Sequence, residues 1–172
     1  MSAILPVITH PNPLLRQQAR LISIAEIHDA AMQQLYQNMI TTMYADDGIG
    51  LAAPQVGQSI RVITVGKDAF EDQKNLPFGV QDMVFINPEL SEYSFKTVWE
   101  EEGCLSVPGV RGEVCRHTKL TAKVTLVDGN TVTFVATDFL ARVLQHEVDH
   151  LNGILFIDRA RGIQKNNRRA AL

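Results

Sequence analysis

The fold is organised around Gln145-His146-Glu147-Val148-Asp149-His150-Leu151-Asn152-Gly153, a stretch near the end of the chain that contains the pattern His-Glu-x-x-His. On an α-helix, residues four apart lie one turn above each other, so His146 and His150 can bind one metal ion. Glu147 then lies beside any water on that metal and can exchange protons with it. Taken alone, the pattern also fits a helix with two unrelated histidines and a solvated glutamate.

The flanking residues predict a helix that begins near Thr137 or Asp138, both able to cap it, and ends at Asn152-Gly153. One face of this helix carries Phe139, Val143, His146 and His150, and a neighbouring face carries Leu140, Leu144 and Leu151. A helix that is apolar over so much of its circumference is typical of a central position in the fold. A metal at the two histidines would face an apolar wall that suits an unbranched apolar side chain.

A catalytic metal usually has three protein ligands and an open position, so one more ligand is needed. Cys104 is the candidate, because it lies among small residues after a predicted strand, in Glu100-Glu101-Glu102-Gly103-Cys104-Leu105-Ser106. The alternative is a buried free cysteine, which is common. That alternative fits Cys115 better, since no motif surrounds it.

The stretch Gly48-Ile49-Gly50-Leu51-Ala52-Ala53-Pro54-Gln55-Val56-Gly57 alternates very small residues with aliphatic ones and contains one amide, Gln55. Glycine allows another backbone to approach closely, which suits a loop that holds an extended peptide or faces a metal site. A tight turn between a helix and a strand is an equal alternative. A phosphate-binding loop is excluded, because the Lys-Ser/Thr ending is missing.

Upstream, Ser23 and Glu26 form a possible capping box for a helix whose apolar stripe is Ile24, Ile27, Ala31, Leu35, Met39 and Met43.

Strands are expected at residues 60–65, at 83–86 ending before Asn87-Pro88, weakly at 95–101, and in a hairpin around Asp128-Gly129-Asn130. Residues 66–81 are expected to form an exposed loop, residues 10–20 a proline-stiffened surface segment, and residues 158–172 a solvated, partly frayed basic tail.

The composition sets limits on the class of protein. With 172 residues, 45% of them apolar and 20% charged, the chain fits one soluble globular domain spanning residues 1–172. The net charge of −3 argues against a general nucleic-acid binder. No apolar run approaches a membrane span, and residues 1–13 do not resemble a secretion signal. Two cysteines are too few for a disulfide framework, so we expect a cytoplasmic protein with reduced thiols.

Three motifs together resemble the signature motifs of peptide deformylases: residues 48–55, Glu102-Gly103-Cys104-Leu105-Ser106 and Gln145-His146-Glu147-Val148-Asp149-His150. They occur complete and in the family's order, and the resemblance covers nearly the whole chain. It implies a hydrolase that removes the formyl group from the N-terminal formylmethionine of newly synthesised polypeptides and releases formate. N-formylmethionyl nascent peptides are then the partners. The ribosome near its exit tunnel is a possible further partner, although the basic tail here is shorter than the C-terminal helix through which relatives touch it.

The resemblance also implies roles for individual residues. Cys104, His146 and His150 would hold one divalent metal, natively Fe(2+), with Zn(2+), Ni(2+) or Co(2+) as replacements. Metal-bound hydroxide would attack the formyl carbon, with Glu147 as general base and then acid. The Gln55 amide and the Leu105 N–H would face the developing oxyanion. The remaining implied residues are Ile49, Gly50 and Gly103 along the substrate backbone, Arg111 beside it, Phe139 and Val143 in the methionine pocket, and the pair Glu102 and Arg116 behind the ligands. Asp149 is either a similar partner or a plain surface aspartate.

Other functions share parts of these patterns. A zincin-type endopeptidase has His-Glu-x-x-His, but no obvious third ligand follows His150. A zinc nucleobase deaminase would need His-x-Glu and Pro-Cys-x-x-Cys, and both are missing. An inactive relative that keeps metal for stability, or binds a ribosomal partner, would have no need of Glu147 and Gln55. We therefore expect an α+β fold, with mainly antiparallel sheets wrapped around the central C-terminal helix and an N-terminal helix packed outside.

Overall fold

The computed structural model describes residues 2–165 and has an α+β architecture. Its α-helices are α1 (Ile24–Ile27), α2 (Ala30–Ala45) and α3 (Asp138–Leu151). Its strands are β1 (Gly50–Ala52), β2 (Val62–Val65), β3 (Met83–Ser91), β4 (Thr97–Glu102), β5 (Val110–His117), β6 (Lys119–Thr125), β7 (Thr131–Thr137) and β8 (Arg161–Lys165). The expected fold class is confirmed. No helix in the described part of the chain is both long enough and apolar enough to cross a membrane.

The strands form two antiparallel sheets. One sheet has the order β1-β2-β3-β6-β7, and the other has the order β4-β5-β8. The predicted hairpin is confirmed: β6 and β7 pair from Lys119↔Thr137 to Thr125↔Thr131. Its turn is closed locally, because the Asn130 N–H donates to Asp128 Oδ1 at 2.9 Å.

Helix α3 is central, as its apolar circumference predicts. Its side chains from Leu140 to Glu147 are all buried. The predicted bounds are confirmed, with Thr137 at the N-cap and Asn152 at the C-cap. The Thr137 hydroxyl does not cap the helix, however, and instead donates to Gln73 Oε1. After the helix, Gly153 has φ 73°, and a Cβ there would lie 2.5 Å from the Arg16 carbonyl oxygen. Only glycine fits this close approach.

The predicted helix over residues 24–43 is wrong as a single helix. The capping box is present, with Glu26 N–H donating to Ser23 Oγ and Ser23 N–H to Glu26 Oε2. It caps only α1, because Asp29 leaves the helical conformation (φ −59°, ψ 136°) and begins α2. The predicted stripe changes accordingly: Ile24 and Ala31 are exposed, Leu35 is half-buried, and Ile27, Met39 and Met43 are buried together with Tyr36.

Strand β3 is longer than predicted, since it continues through Asn87-Pro88 to Ser91. The pairing with β6 shifts register between Ile86 and Glu89. Proline has no N–H to donate, and a bulge is one of the few places where a strand tolerates it. Asn87, with φ 49°, is fixed by two hydrogen bonds between its side-chain amide and the Ile22 backbone.

The expectation of an exposed loop over residues 66–81 is wrong in part. Phe70, in a short 3-10 turn over Lys67–Phe70, is fully buried. Its ring lies 5.7 Å from that of Phe78, which lies 5.2 Å from Phe134. These edge-to-face contacts anchor the segment on the five-stranded sheet.

The C-terminal segment is also more ordered than predicted. Strand β8 pairs with β5 and extends the smaller sheet. The Arg161 guanidinium lies 3.8 Å from the centre of the Trp99 ring, and its Nε donates to Glu113 Oε2 at 3.1 Å. All five residues of β8 are nevertheless exposed. Arg168 and Arg169, part of the predicted frayed tail, lie outside the described residues.

The N-terminal segment (residues 8–19) contacts three regions: the Gly-rich loop, the turn that contains Cys104, and the end of α3. Its surface position is confirmed at residues 10–13, which are exposed, but Leu15 is buried. Backbone hydrogen bonds join Ile8 N–H to the Gln55 carbonyl (2.7 Å), His10 N–H to the Ser106 carbonyl (2.8 Å) and Ala19 N–H to the Leu151 carbonyl (2.8 Å). The segment therefore ties together the Gly-rich loop, the cysteine turn and the end of α3.

Candidate metal centre

Cys104, His146 and His150 converge at one buried point. Among the described residues, one potential ligand atom from each lies within 4.8 Å of the others. Cys104 Sγ is 3.2 Å from His150 Nε2, and the two imidazole centres are 5.0 Å apart. A sulfur and two imidazole nitrogens at these separations fit the donor set of a tetrahedral zinc or ferrous site.

The local structure explains how the three side chains meet. His146 and His150 project from consecutive turns of α3, whereas Cys104 lies in the turn that follows β4. That turn is closed by a hydrogen bond from Val107 N–H to the Cys104 carbonyl (3.0 Å). Leu15 belongs to the same apolar cluster as Cys104 and Val107, so the N-terminal segment also helps to hold the turn.

The hydrogen bonds of the imidazoles suit metal binding. His146 Nδ1 lies 2.9 Å from Glu102 Oε2, so a proton on Nδ1 leaves the Nε2 lone pair for a metal. His150 turns Nε2 toward the sulfur. His150 Nδ1 and Glu147 Oε2 are buried and have no hydrogen-bond partner among the described residues. Buried polar atoms normally have one, so the unpartnered Glu147 oxygen fits a further ligand in the centre, whereas His150 Nδ1 lies on the side of its ring away from the sulfur.

Burial favours the neutral forms of the side chains in the centre. Burial raises the pKa of the Cys104 thiol to about 12. Burial, followed by the charge of Glu102, raises the pKa of Glu147 well above its ordinary value. Burial, followed by the neighbouring His146, holds the pKa of His150 well below its ordinary value. A divalent cation would stabilise the thiolate, the carboxylate and the neutral imidazole together.

The predicted pair of Glu102 and Arg116 is present behind the ligands. Arg116 Nε and Nη2 donate to the two Glu102 oxygens at 3.0 and 3.1 Å, and Glu102 is fully buried. Burial would raise the pKa of Glu102, but the hydrogen bonds with His146 and Arg116 outweigh it and lower that pKa well below its ordinary value.

Two further residues join this network. Asp149 is buried and accepts hydrogen bonds from Arg116 and Arg159, so it is not a plain surface aspartate. Arg142, which the sequence analysis missed, is buried and donates to Glu102 Oε1 at 2.6 Å. The signal for Arg142 was available, because a charged residue inside an otherwise apolar central helix needs a buried partner.

The Gly-rich loop lies directly against the helix. A Cβ on Gly50 would lie 2.4 Å from Glu147 Oε1, so a side chain at position 50 would have to displace the Glu147 carboxylate. Gln55 is buried in a short 3-10 turn, Ala53–Val56. Ala52 N–H donates to Gln55 Oε1 at 2.8 Å, which leaves Nε2 near Ser106 Oγ (3.1 Å) and Cys104 Sγ (3.6 Å). A small cavity here is lined by Gly48, Gly50, Gln55, Gly103, Cys104, Leu105, His146 and Glu147.

The other predicted substrate residues lie at varying depths. Ile49 is half-buried just before β1, Val143 is fully buried on α3, and Phe139 at the start of α3 is 43% exposed. Arg111 on β5 pairs with Glu101 at 2.9 Å. Their roles toward a substrate stay predictions. Cys115, expected to be buried, is partly exposed on β5.

Comparison with known proteins agrees with this geometry. The sequence model of the polypeptide deformylase family matches residues 4–166. Peptide deformylase 2 of Nostoc sp. is 43% identical over 156 residues, which are 91% of this chain and 86% of the relative. The peptide deformylase of Desulfotalea psychrophila is 40% identical over 164 residues, 95% of this chain and 92% of the relative.

Solved structures show the same likeness. A class I type b peptide deformylase from Acinetobacter baumannii, with Met-Ala-Ser bound, superposes with a TM-score of 0.82 at 40% identity, covering 92% of this chain and 99% of that one. Peptide deformylase from Thermotoga maritima gives a TM-score of 0.81 at 35% identity, covering 92% of this chain and 99% of that one. Sequence, fold and the convergence of the three motifs lead to one conclusion: the chain belongs to the polypeptide deformylase family.

Proposed function

We propose that this chain removes the formyl group from the N-terminal formylmethionine of newly synthesised polypeptides in the cytoplasm and releases formate. Membership of the polypeptide deformylase family supports the reaction class. The observation that carries the proposal is the convergence of Cys104, His146 and His150 beside Glu147. A purely structural metal site would not need a buried acid next to its ligands.

One divalent metal would be held by Cys104, His146 and His150. When bound, such a metal acidifies water and polarises a carbonyl oxygen, the two effects that amide hydrolysis needs. We infer Fe(2+) as the native ion from the family resemblance. Zn(2+), Ni(2+) or Co(2+) could replace it, because a thiolate and two imidazoles suit all of them.

Glu147 is the proposed general base and acid. It follows the ligand His146 directly on α3 and is buried against Gly50. In this position its carboxylate can take a proton from the attacking water and pass it to the departing amine. Its unpartnered Oε2 is free to make that contact.

Gln55 and Leu105 are the proposed donors to the developing oxyanion. The hydrogen bond from Ala52 N–H fixes the Gln55 carbonyl, so the Nε2 donors are directed toward the cysteine turn. Leu105 follows Cys104 and lines the same cavity as Gln55. Donors that are fixed before the reaction stabilise such a charge most effectively.

The substrate is proposed to bind as an added strand. Within the described residues, β1 and β4 are edge strands of their sheets, and Ile49, Gly50 and Gly103 lie at or beside their ends. An extended peptide can pair with such an edge. Phe139 and Val143 would line the pocket for the methionine side chain, and Arg111 would help to place the substrate backbone. The Acinetobacter baumannii relative, solved with Met-Ala-Ser, supports a methionine-led peptide.

The test is formate release from formyl-Met-Ala-Ser by metal-loaded protein. Glu147→Gln should lower kcat by about 10²–10⁴-fold, because the proton carrier is lost, while metal content stays at the wild-type level. Glu89→Gln, which changes a largely exposed glutamate on β3, is the matched control and should leave turnover unchanged. Wild-type turnover by Glu147→Gln would contradict the proposed mechanism, and no formate release by loaded wild-type protein would contradict the function.

A further inference from the structure

Arg142 is a buried arginine that the proposed chemistry does not use. It lies on α3 one turn before His146 and is only 3% exposed. A buried guanidinium is costly unless its N–H groups are satisfied. Its donors are satisfied by Glu100 Oε2 (2.8 Å), Glu102 Oε1 (2.6 Å), the Val114 carbonyl (3.1 Å) and the Val98 carbonyl (3.1 Å). Arg142 therefore joins α3 to both β4 and β5.

The contact with Glu102 links Arg142 to a metal ligand. Glu102 Oε1 accepts from Arg116 and Arg142, and Oε2 accepts from Arg116 and lies 2.9 Å from His146 Nδ1. Glu102 is fully buried, so water cannot replace a lost donor. The direction in which the His146 ring points thus depends on how firmly Glu102 is held.

The two arginines hold α3 at different places. Arg116, on β5, reaches Asp149, which follows His146 on the helix and precedes His150. Arg142 precedes His146 and reaches back to β4 and β5. Cys104 lies in the turn directly after β4, so the same contacts set how far the helix ligands are from the sulfur.

We propose that Arg142 is a positioning residue of the metal centre: it fixes α3 against β4 and β5, and so keeps His146 and Cys104 at binding distance. This inference rests on the proposed function, because it concerns the same centre. It assigns no contact with substrate to Arg142. Its effect is exerted through Glu102 and through the carbonyls of Val98 and Val114.

The test compares zinc affinity, measured by competition with a chromogenic chelator. Arg142→Met keeps an unbranched apolar stem but removes every donor, and should weaken zinc binding about 10- to 100-fold, the range typical of lost partners behind metal ligands. Arg142→Lys keeps the positive charge but loses the planar guanidinium with its several N–H donors. Its zinc affinity should lie between those of Arg142→Met and wild type. Glu100→Gln is the matched control, because Glu100 contacts the same arginine from an exposed position and does not touch Glu102. It should bind zinc as wild type does.

A second readout separates positioning from general destabilisation. The visible spectrum of the Co(2+)-loaded protein reports ligand geometry, and its band positions should shift in Arg142→Met and Arg142→Lys but not in Glu100→Gln. Wild-type zinc affinity in Arg142→Met would overturn the inference. If that variant fails to fold, wild-type affinity and spectrum in Arg142→Lys would overturn it instead. A wild-type chain that binds zinc but releases no formate would contradict the proposed function alone, since affinity still tests Arg142.

Discussion

At the scale of single residues, the centre depends on close contacts between the Gly-rich loop and α3. Gly50 is the clearest case, because the space that a side chain would need is already occupied by Glu147. The conformation of Gly50 does not require glycine: its φ is not among the positive values in the chain. The preference for glycine at position 50 comes from packing alone, so it should disappear if the Glu147 side chain is shortened.

A double-mutant cycle tests this contact. Gly50→Ala should destabilise the protein by about 1–3 kcal/mol, the usual cost of overpacking a buried site. In a Glu147→Ala background the same change should cost less, because the carboxylate that the new methyl group would meet is gone. The measurement is the free energy of unfolding of the four metal-free proteins in urea. Equal costs in both backgrounds would show that the contact does not restrict position 50.

The ligand candidates could be predicted from the sequence because each belongs to a short motif with a chemical meaning. Partners of buried charges could not be predicted in the same way. Arg142 meets Glu102, and both Arg116 and Arg159 meet Asp149, through tertiary packing. Sequence separation gives no information on such distances. The one available indication was the charge of Arg142 in a helix predicted to be central.

At the scale of elements, the segment between β2 and β3 shows how composition can mislead. Its polar, Gly- and Pro-containing sequence predicts exposure, but Phe70 is fully buried and contacts Phe78 and Phe85. Isolated aromatic residues in a polar stretch carry no periodic signal, so the sequence pattern did not reveal the anchor. The segment is better described as a covering of the five-stranded sheet.

Phe70→Ala should therefore lower the free energy of unfolding by about 3–5 kcal/mol, the range for a buried phenylalanine. Val80→Ala, in the same segment but 57% exposed, is the matched control and should change stability by no more than about 0.5 kcal/mol. Urea denaturation measures both. Similar small effects from the two variants would support the exposed loop that the sequence suggested.

The start of α1 gives a prediction of pH dependence. The hydrogen bond from Arg20, followed by that from the Ser23 backbone, lowers the pKa of Glu26 from 4.5 to about 2. A pKa lowered in the folded state adds stability that is fully present above the unfolded value of 4.5 and is lost as the pH falls through about 2. Unfolding in urea from pH 6 to pH 2 should show an advantage of wild type over Glu26→Gln that shrinks across this window.

Arg20→Gln offers a check on the cause. It removes the partner that lowers the pKa of Glu26 most, so the titration of Glu26 should move back toward its ordinary range. A wild-type advantage over Glu26→Gln that stays constant with pH would instead mean that the charge on Glu26 adds nothing to the cap.

At the scale of the whole molecule, the candidate metal centre joins parts of the chain that are distant in sequence. Cys104 belongs to the end of the three-stranded sheet, and the histidines belong to the helix that the five-stranded sheet covers. A ligand that binds only the folded state stabilises it, by about 2.7 kcal/mol at a free concentration 100 times Kd. Metal should therefore stabilise the fold as well as support the chemistry.

Removing the metal with a chelator should accordingly lower Tm by about 5–10 °C for a chain of this size. Differential scanning calorimetry on loaded and metal-free protein measures the shift. Cys104→Ser should show a smaller shift, because it replaces the proposed thiolate ligand. An unchanged Tm in wild type after verified metal removal would argue that Cys104, His146 and His150 do not bind the metal together.

The fold class and the central helix could be predicted because periodicity and capping are local signals. The irregular features could not. The bulge at Asn87-Pro88 and the pairing of β8 with β5 depend on contacts between strands that are distant in sequence, and the break at Asp29 interrupts an apolar stripe without a local signal. The short strand β1, with only Gly50–Ala52, was too short to show alternation.

Residues 8–19 are translated before the three motif regions that they join. The carbonyl groups of Gln55, Ser106 and Leu151, which accept hydrogen bonds from this segment, emerge one after another, and the last comes only once the helix is complete. A chain that has not yet been translated through α3 therefore contains residues 8–19 but lacks the Leu151 carbonyl that accepts from Ala19 N–H. It also lacks the assembled group of Cys104, His146 and His150. Deleting residues 8–19 would keep Cys104, His146 and His150 but remove all three backbone hydrogen bonds between this segment and the motif regions.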